Sequence, residues 1–441
     1  MFVLGSIQRE ISGLLSGYSE RISEVMSVKG VNDRIDGLTL ICREVMRGST
    51  LRYIDGVLHI FNGRYYEACS REVVLSVMGN GLVDLGVSPT DVRRMSDMPL
   101  SVLVERSVES ERLICFSNGV LDLVSGVFTE GFSAERICTE SMSFGYDAGA
   151  GCSRWERFLG EVMPDESERL VMQCFFGMVY LDRRELSVEK FALFVGRGAN
   201  GKSVIFEVMK RVLGEDNVST LDTSQLTDEK MLPYVKGKRL NFSPDLARGK
   251  DFGSALKALA SGQDVTGRRI YGDAEKIKCP PLCFALNEMP VFRDVTPAFF
   301  RRLLLFSFDV EIPPERQDRE LVEKISREDL PGIFNWIRRG TEMLVSRRGE
   351  FPSCRKMERN LELLRSEVCD SAFPVKSYLE GRGYSLRPMY RGQPFCLVSQ
   401  NEIDLGLRHS VSRYMITSEL KRFGVQTHRS KELFYKVYER R

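Results

Sequence analysis

The chain has 441 residues, which is enough for roughly two to four domains with substantial cores. Its 63 Lys and Arg residues nearly balance its 61 Asp and Glu residues. This balance excludes a uniformly basic nucleic-acid coat protein, so any nucleic-acid contact must use a local basic surface.

The N-terminus lacks a positively charged signal-peptide region, and no later apolar run reaches the ~18–20 residues of a membrane span. We therefore expect a cytoplasmic protein, of a bacterial or phage-infected cell, without membrane contacts. The 11 cysteines are scattered, which favours reduced thiols over a disulfide framework. Cys279 and Cys283 form a CPPLC segment, but no second pair follows at zinc spacing, so we expect no zinc site.

The first 50 residues have the apolar spacing of amphipathic helices, with Ile7, Ile11 and Leu14 on one face and Ile22 continuing the pattern. Residues 52–70 alternate as two strands joined at Asn62-Gly63. A helical stretch near 70–108 follows. We predict an N-terminal α+β region over 1–108, whose pattern indicates no catalytic cluster.

The next region, residues 109–190, combines a strand pair with a helical layer. FSNGVLDLVSGVFTE supplies the strands, with turns at Asn118-Gly119 and Ser125-Gly126. Trp155, Phe158 and Phe175 then recur at helical spacing, which predicts a packed helical collar that leads into the following domain.

Residues 191–213 carry the strongest functional signal, the phosphate-binding motif G-x-x-x-x-G-K-[ST] between a predicted strand and a predicted helix. Glycines let backbone N–H groups turn towards phosphates, a lysine reaches the β- and γ-phosphates, and a hydroxyl can bind Mg²⁺. The predicted ATP-binding residues are Gly196, Gly198, Ala199, Asn200, Gly201, Lys202, Ser203 and Val204.

A nucleotide hydrolase also needs an acid, a γ-phosphate sensor and usually an arginine. A short strand before Asp245 offers the acid, which with Ser203 would bind Mg²⁺. A buried strand over 282–286 ends at Asn287, whose amide could contact the γ-phosphate and the attacking water. Arg301 and Arg302 precede another buried strand and could act on the nucleotide of a neighbouring subunit.

Residues 256–280 indicate a nucleic-acid contact. Their second half predicts a hairpin around Gly272-Asp273, and clustered cations with an aromatic side chain suit a single-stranded backbone. An exposed hairpin with solvated charges is the alternative. The candidate nucleic-acid-binding residues on the hairpin are Arg268, Arg269, Tyr271, Lys276 and Lys278.

Two regions complete the predicted domain organisation, after a core over 191–310. Residues 311–371 have a helical pattern that suits a lid. Residues 372–441 suit a winged helix, with a helix near 412–423 before two strands, and the end of the chain is locally basic. We expect duplex binding or protein docking from this last domain.

The chain resembles the superfamily 3 helicases, most closely the primase-helicase family of phages, plasmids and poxviruses. The resemblance covers roughly residues 110–370 and rests on the order of five features. These are GRGANGKS at 196–203, the strand-end acid, LKALASGQDVTGRRIYG at 256–272, the turn from Asn287 to Pro290, and the paired arginines before a strand.

The resemblance implies an α/β fold with an AAA+-type P-loop ATPase core that assembles as a ring, usually a hexamer, around nucleic acid. It implies Lys202 as the ATP-binding lysine, Asp245 as the acid, Asn287 as the sensor, and Arg301 or Arg302 as the arginine supplied to the next subunit. It also implies that Lys257 and the 264–278 hairpin line the central channel and bind nucleic acid. Asp245 stands where Glu is frequent, so its role towards Mg²⁺ is better supported than a role in activating water.

The first function hypothesis is an ATP-dependent replicative DNA helicase of a phage or other mobile element that translocates on single-stranded DNA, without a primase module of its own. A separate primase or polymerase would then be a partner. The second is an AAA+ initiator or helicase loader that remodels duplex origin DNA without processive unwinding. A small-molecule P-loop kinase is the third.

Overall fold

The computed structural model describes residues 2–96, 107–108, 112–244, 253–268, 274–287, 297–372, 374–386, 396–407, 416–417, 420, 425–429 and 433–439. The chain divides into two compact units. Unit 1 comprises Met1–Cys152, Lys210–Asn217 and Ser326–Asn335, and unit 2 comprises Ser153–Met209, Val218–Ile325 and Trp336–Arg441. In the described ranges, no helix combines the length and apolar character that crossing a membrane requires.

Unit 1 has its own apolar core between helices and a small mixed sheet. Ile7, Ile11 and Ile22 are fully buried in that core, in agreement with the predicted amphipathic helices. The described elements up to residue 130 are α1 (Phe2–Ser16), α2 (Ser19–Ser27), α3 (Val31–Gly48), β1 (Arg52–Ile54), β2 (Val57–Phe61), β3 (Tyr66–Ala68), α4 (Arg71–Asp84), α5 (Pro89–Ser96), β4 (Ser107–Val108), β5 (Leu113–Phe116), β6 (Gly119–Asp122) and β7 (Phe128–Glu130).

Both strand predictions in unit 1 undercount the strands. Residues 52–70 form three strands of a four-stranded sheet, because Asp55 and Gly56 adopt left-handed φ values of 49° and 78° and turn β1 back on β2. Asp and Gly are the residues that such a hairpin turn favours. The turn after β2 lies at Asn62, as predicted, and β5, β6 and β7 likewise form three antiparallel strands rather than a pair.

The remaining described elements begin at residue 153. They are α6 (Ser153–Val162), α7 (Glu166–Gly177), β8 (Phe191–Val195), α8 (Lys202–Leu213), β9 (Val218–Ser219), α9 (Thr223–Leu226), β10 (Leu240–Ser243), α10 (Gly253–Ala260), β11 (Asp264–Arg268), β12 (Ala274–Lys278), β13 (Leu282–Leu286), α11 (Pro297–Phe300), β14 (Leu303–Ser307), α12 (Leu321–Glu328), α13 (Leu330–Ser346), α14 (Arg355–Ala372), α15 (Pro374–Gly381), β15 (Tyr384–Ser385), β16 (Cys396–Ser399), α16 (Gln400–Gly406), β17 (Thr427–Arg429) and β18 (Leu433–Glu439). Short 3-10 turns cover Met178–Tyr180, Glu215–Asn217, Leu232–Val235 and Pro314–Arg316.

The centre of unit 2 is a five-stranded parallel sheet with the order β14-β8-β13-β10-β9. Strands β8, β13 and β14 are short runs of almost wholly buried apolar residues, which is typical of parallel sheets covered on both faces. Val195 pairs with Leu286 on one side and with Ser307 on the other. The carboxyl ends of β8, β13 and β14 therefore meet at one edge of the sheet.

The C-terminal part of unit 2 has a separate small sheet in which β18 pairs with β15, β16 and β17. The two strands predicted at the end of the chain are the antiparallel pair β17 and β18. The helix predicted near 412–423 lies mostly outside the described residues, so a winged helix remains a prediction.

Two helices of unit 2 approach each other at backbone contact, a feature that the sequence pattern did not reveal. A Cβ at Gly340 in α13 would lie 2.1 Å from the Gln173 carbonyl oxygen in α7, and a Cβ at Gly177 would lie 2.4 Å from the Gly340 backbone. Backbone atoms cannot move aside as side chains do. The close packing of α7 on α13 therefore depends on both glycines.

We expect the Gly340→Ala variant to lose about 1–3 kcal/mol of unfolding free energy, since α13 must shift to accommodate the added methyl group. Thermal unfolding followed by circular dichroism measures the change. Gly160→Ala in α6 is the matched control, because no heavy atom lies within 4 Å of a Cβ there. The control should gain up to about 1 kcal/mol from better helix propensity. Equal midpoints for the two variants would contradict the close packing.

Candidate functional site

The segment with the predicted phosphate-binding motif, residues 196–203 and called here the phosphate loop, connects β8 to α8, as predicted. It rests on both neighbouring strands. Gly196 donates its N–H to the Leu286 carbonyl at the end of β13, at 3.1 Å. On the other side, Phe308 donates to Val195 just before the loop, at 2.7 Å. The loop is therefore fixed at the carboxyl edge of the sheet.

The loop conformation explains why glycine occupies two of its positions. Gly201 has a left-handed φ of 89°, and a Cβ there would lie 2.7 Å from Val162 Cγ1. A Cβ at Gly196 would lie 2.4 Å from the Phe308 carbonyl oxygen. Ala199 also has a positive φ, of 59°, an uncommon conformation for a residue with a side chain.

Asn200 holds the loop from inside. Its side chain is 4% exposed and donates to the carbonyls of Arg197 and, at 3.2 Å, of Phe308. Ile312 adds a backbone hydrogen bond to the Ala199 carbonyl, at 2.9 Å. The segment after β14 therefore supports the loop through main-chain contacts, which the sequence analysis missed because backbone contacts leave no residue pattern.

Lys202 is the first residue of α8, and its amine folds back into the loop. Nζ donates to the Gly196 carbonyl at 2.5 Å, to Asn200 Oδ1 at 3.0 Å and to the Arg197 carbonyl at 3.3 Å. Burial lowers the pKa of this amine. A phosphate would offer this amine charged oxygen acceptors in place of the neutral oxygens of the loop. Hydrogen bonds to charged acceptors are stronger.

The residues present fit a bound phosphate group. The 12-residue helix α8 starts at the loop and directs its unpaired N–H groups and partial positive charge towards it. A Cβ at Gly198 would meet nothing within 4 Å, so the outer side of the loop is open. Ser203, in the first turn, is exposed and available to a metal ion.

Of the predicted acid and the predicted sensor residue, the structure describes only the sensor, Asn287. Asn287 is exposed and directly follows Leu286, whose carbonyl accepts the Gly196 N–H. The fold therefore brings Asn287 next to the start of the loop. Asp245 lies outside the described residues, two positions after β10 ends at Ser243. Asn287 directly follows β13, the strand that lies between β8 and β10 in the sheet.

The arginine pair, Arg301 and Arg302, lies at the opposite edge of the sheet. Arg302 precedes β14 and accepts the Phe191 N–H at the start of β8, at 3.0 Å. Gly196 is five residues further along β8, or about 16 Å at ~3.3 Å per residue. The arginines are thus not brought to the phosphate loop of their own chain.

The two arginines differ in exposure. Arg302 has an 11% exposed side chain, which contacts Glu189 Oε2 at 2.6 Å and the Ala298 carbonyl at 3.0 Å. Arg301 contacts the same carboxylate at 3.4 Å but is 65% exposed. Arg302 is part of the fold, whereas Arg301 projects from it. Arg301 is therefore the more accessible of two residues that the sequence could not separate.

The predicted hairpin is present as antiparallel β11 and β12, called here the basic hairpin. Arg268, Lys276 and Lys278 lie on its exposed face, while Gly267 and Ile277 face inwards. Lys278 forms an ion pair with Asp182 at 3.1 Å. Lys257 lies on α10 and is partly buried. The remaining candidates, Arg269 and Tyr271, fall outside the described residues.

A buried carboxylate near the end of β14 was not predicted. Glu168 in α7 is fully buried, accepts the Ser307 N–H at 3.1 Å and pairs with Lys356 Nζ in α14 at 2.9 Å. Burial raises the pKa of Glu168, against the opposing effect of Lys356. Its position in an ordinary helical pattern gave no signal. The Glu168–Lys356 pair therefore joins α7 and α14 to the end of β14, the strand that pairs with β8.

Comparisons with known proteins add two family matches. The family described as D5 N terminal like matches residues 90–164, and the Family of unknown function (DUF5906) matches residues 194–302. A relative from Acanthamoeba polyphaga mimivirus, named "Putative helicase L207/L206", is 27% identical over 252 residues. These matches support a relationship to the primase-helicases of phages and viruses.

The aligned part covers 52% of this chain and 24% of the mimivirus protein, so the chain spans about a quarter of that relative's length. Among solved structures, the apo structure of the NrS-1 C-terminal region is similar with a TM-score of 0.53 at 11% identity, covering 91% of this chain and 99% of that one. Its A form gives 0.52 at 10% identity, with 90% and 98% covered. This likeness shows a shared mixed α/β fold.

Proposed function

We propose that this chain is an ATP-dependent DNA helicase motor that acts as a ring. One observation carries the proposal: the phosphate loop, with its buried Lys202, lies beside Asn287 at the carboxyl edge of a parallel sheet. This is the edge at which open α/β sheets bind their ligands. The mimivirus relative and the D5 N terminal like match suggest a helicase or replication function, and the loop adds ATP as the energy source.

The residues of the site have distinct roles in this proposal. Lys202 exchanges its loop carbonyls for the β- and γ-phosphate oxygens and stabilises the charge that develops on them. Asn287 orients the attacking water. Mg²⁺, when bound, would be held by Ser203 and Asp245 and would neutralise phosphate charge. These groups come from different segments at the carboxyl edge of the sheet. Nucleotide binding would therefore draw those segments together.

The exposed Arg301 supports action on a neighbouring subunit. The backbone beside Arg301, at the start of β14, lies about 16 Å along the sheet from the start of its own loop, which favours action on the nucleotide of another copy. A ring places the arginine edge of one subunit against the loop edge of the next. Hydrolysis therefore requires assembly, and we propose a hexamer as the assembled state.

The basic hairpin is the proposed contact with single-stranded DNA. Lys276 is exposed on β12, opposite Thr266, and forms no ion pair among the described residues. A cation without a carboxylate partner can neutralise a DNA phosphate without first breaking an internal pair. Lys278, in contrast, must leave Asp182 to do so.

We expect the Lys276→Ala variant to bind single-stranded DNA about 3–10-fold more weakly, with a salt dependence reduced by roughly 0.7 in log K against log salt. Fluorescence anisotropy with a labelled oligothymidine measures both quantities. Lys29→Ala, an exposed lysine in unit 1, is the control and should change neither. Unaltered affinity and salt slope in the Lys276→Ala protein would remove the hairpin from the DNA interface.

Unwinding of a forked duplex tests the proposed function against the initiator or loader alternative. The purified chain, ATP and a fluorescently labelled fork should release the displaced strand, and a non-hydrolysable ATP analogue should prevent release. Binding of duplex without strand release under the same conditions would favour the initiator or loader.

A further inference from the structure

One short segment of unit 2, residues 182–190, contacts both the basic hairpin and the arginine pair. We propose that this segment, the connector, couples the hairpin mechanically to Arg301. The inference rests on the proposed function, since it assigns a route by which an event at the nucleotide of one subunit moves the DNA-contacting hairpin of the next. The proposal rests on the contacts that the two ends of the connector make and on the hydrogen-bonded turn between those ends.

The first three residues of the connector all bind the base of the hairpin. Asp182 pairs with Lys278 at 3.1 Å. Arg184 donates through Nε to the Gly262 carbonyl at 3.0 Å and pairs with Asp264. Asp264 and Lys278 are opposite each other at the open end of the hairpin. The connector therefore holds both hairpin strands at that end.

Arg183 strengthens this attachment from inside the unit. Its side chain is 2% exposed and donates to the carbonyls of Cys279, just after β12, and Ala260, at the end of α10. Burial lowers the pKa of this guanidinium to about 10, so it keeps its charge at neutral pH. Exposed ion pairs are individually weak, but a buried charged donor is strongly tied to its acceptors.

The last two residues of the connector bind the arginine pair. Glu189 accepts from Arg301 at 3.4 Å and from Arg302 at 2.6 Å. Lys190 Nζ donates to the Arg301 carbonyl at 2.5 Å. Movement of Arg301 towards a neighbour's nucleotide therefore acts directly on Glu189 and Lys190.

The connector between these two ends is stiff. Val188 donates its N–H to the Arg183 carbonyl at 2.8 Å, and Ser187 donates to Arg184 at 3.2 Å with a left-handed φ of 51°. Val188 is itself buried, which anchors the turn in the unit. A long flexible loop would absorb a displacement at one end. A hydrogen-bonded turn, in contrast, passes the displacement on to its other end.

The test uses the full chain and compares ATP hydrolysis with and without single-stranded oligothymidine. Arg184→Ala should retain basal hydrolysis within about twofold but lose most of its stimulation by the oligonucleotide, because the hairpin base is released. The exchange variant, Arg184→Asp with Asp264→Arg, should recover stimulation by restoring the pair in reverse. Arg339→Ala is the matched control: Arg339 is similarly exposed and contacts Glu156, away from the hairpin.

Hydrogen exchange provides a second measurement, in which β11 and β12 amides should exchange faster in Arg184→Ala. Faster exchange with normal stimulation would assign the connector a purely structural role and overturn the inference. Wild-type stimulation retained in Arg184→Ala, with unchanged exchange, would overturn it as well. Absence of stimulation in the wild-type protein would instead reject the proposed function itself, and the coupling with it.

Discussion

Replacing Lys202 with alanine should abolish ATP hydrolysis, with a decrease of at least about 100-fold in the rate of phosphate release. The lysine lies at the phosphate loop, and its amine is already held inside the loop by three oxygen acceptors. Its removal takes away charge stabilisation at the point where the γ-phosphate accumulates negative charge. Steady-state phosphate release by the assembled protein measures this loss.

Lys210→Ala is the control for this experiment, since Lys210 lies two turns further along the same helix and contacts Glu215 at 3.9 Å. The control should hydrolyse ATP at close to the wild-type rate. Circular dichroism should show that both variants are folded. Hydrolysis by Lys202→Ala at the wild-type rate would show that the phosphate loop does not bind the reacting nucleotide.

Replacing Arg301 with alanine should have the second largest effect. We expect nucleotide binding to persist while hydrolysis falls at least about 100-fold, because an arginine supplied in trans acts on the transition state and not on binding. Arg302→Ala should instead lower stability by about 1–3 kcal/mol, since its largely buried guanidinium bonds Glu189 and Ala298. Nucleotide fluorescence, phosphate release and thermal unfolding distinguish these outcomes.

A mixing experiment separates action in trans from action in cis. Subunits with Lys202→Ala retain Arg301, and subunits with Arg301→Ala retain the phosphate loop. Mixed rings therefore contain some interfaces with both groups intact, and hydrolysis should reappear on mixing two inactive proteins. Mixed rings that remain inactive would contradict the assignment of Arg301 to the neighbouring nucleotide.

The parts of the site set by local pattern could be predicted from the sequence. The apolar run 191–195, the glycine motif and the helical face from Val204 each constrain a single element, and the strand, loop and helix are confirmed. The buried strand ending before Asn287 and the hairpin after α10 were predicted on the same grounds. Hydrophobic periodicity and turn-forming residues are sufficient to predict a feature that depends on a single helix, strand or turn.

The parts that depend on long-range packing could not be predicted. The sequence does not distinguish Arg301 from Arg302, and the difference in their burial becomes visible only in the folded chain, where both contact Glu189. Likewise, the Arg183 contacts with Ala260 and Cys279 join residues that are 77 and 96 positions apart. The three-residue strand β1 was merged with β2 in the sequence analysis, and the turn at Asp55 and Gly56 separates the two strands.

Steady-state ATP hydrolysis with and without single-stranded DNA, on protein whose assembly state is fixed by size-exclusion chromatography with light scattering, tests the central claim most directly. A ring-forming helicase motor predicts strong stimulation by single-stranded DNA that appears only in fractions of ring size. Hydrolysis that is indifferent to single-stranded DNA, or equal in monomeric and assembled fractions, would contradict the account.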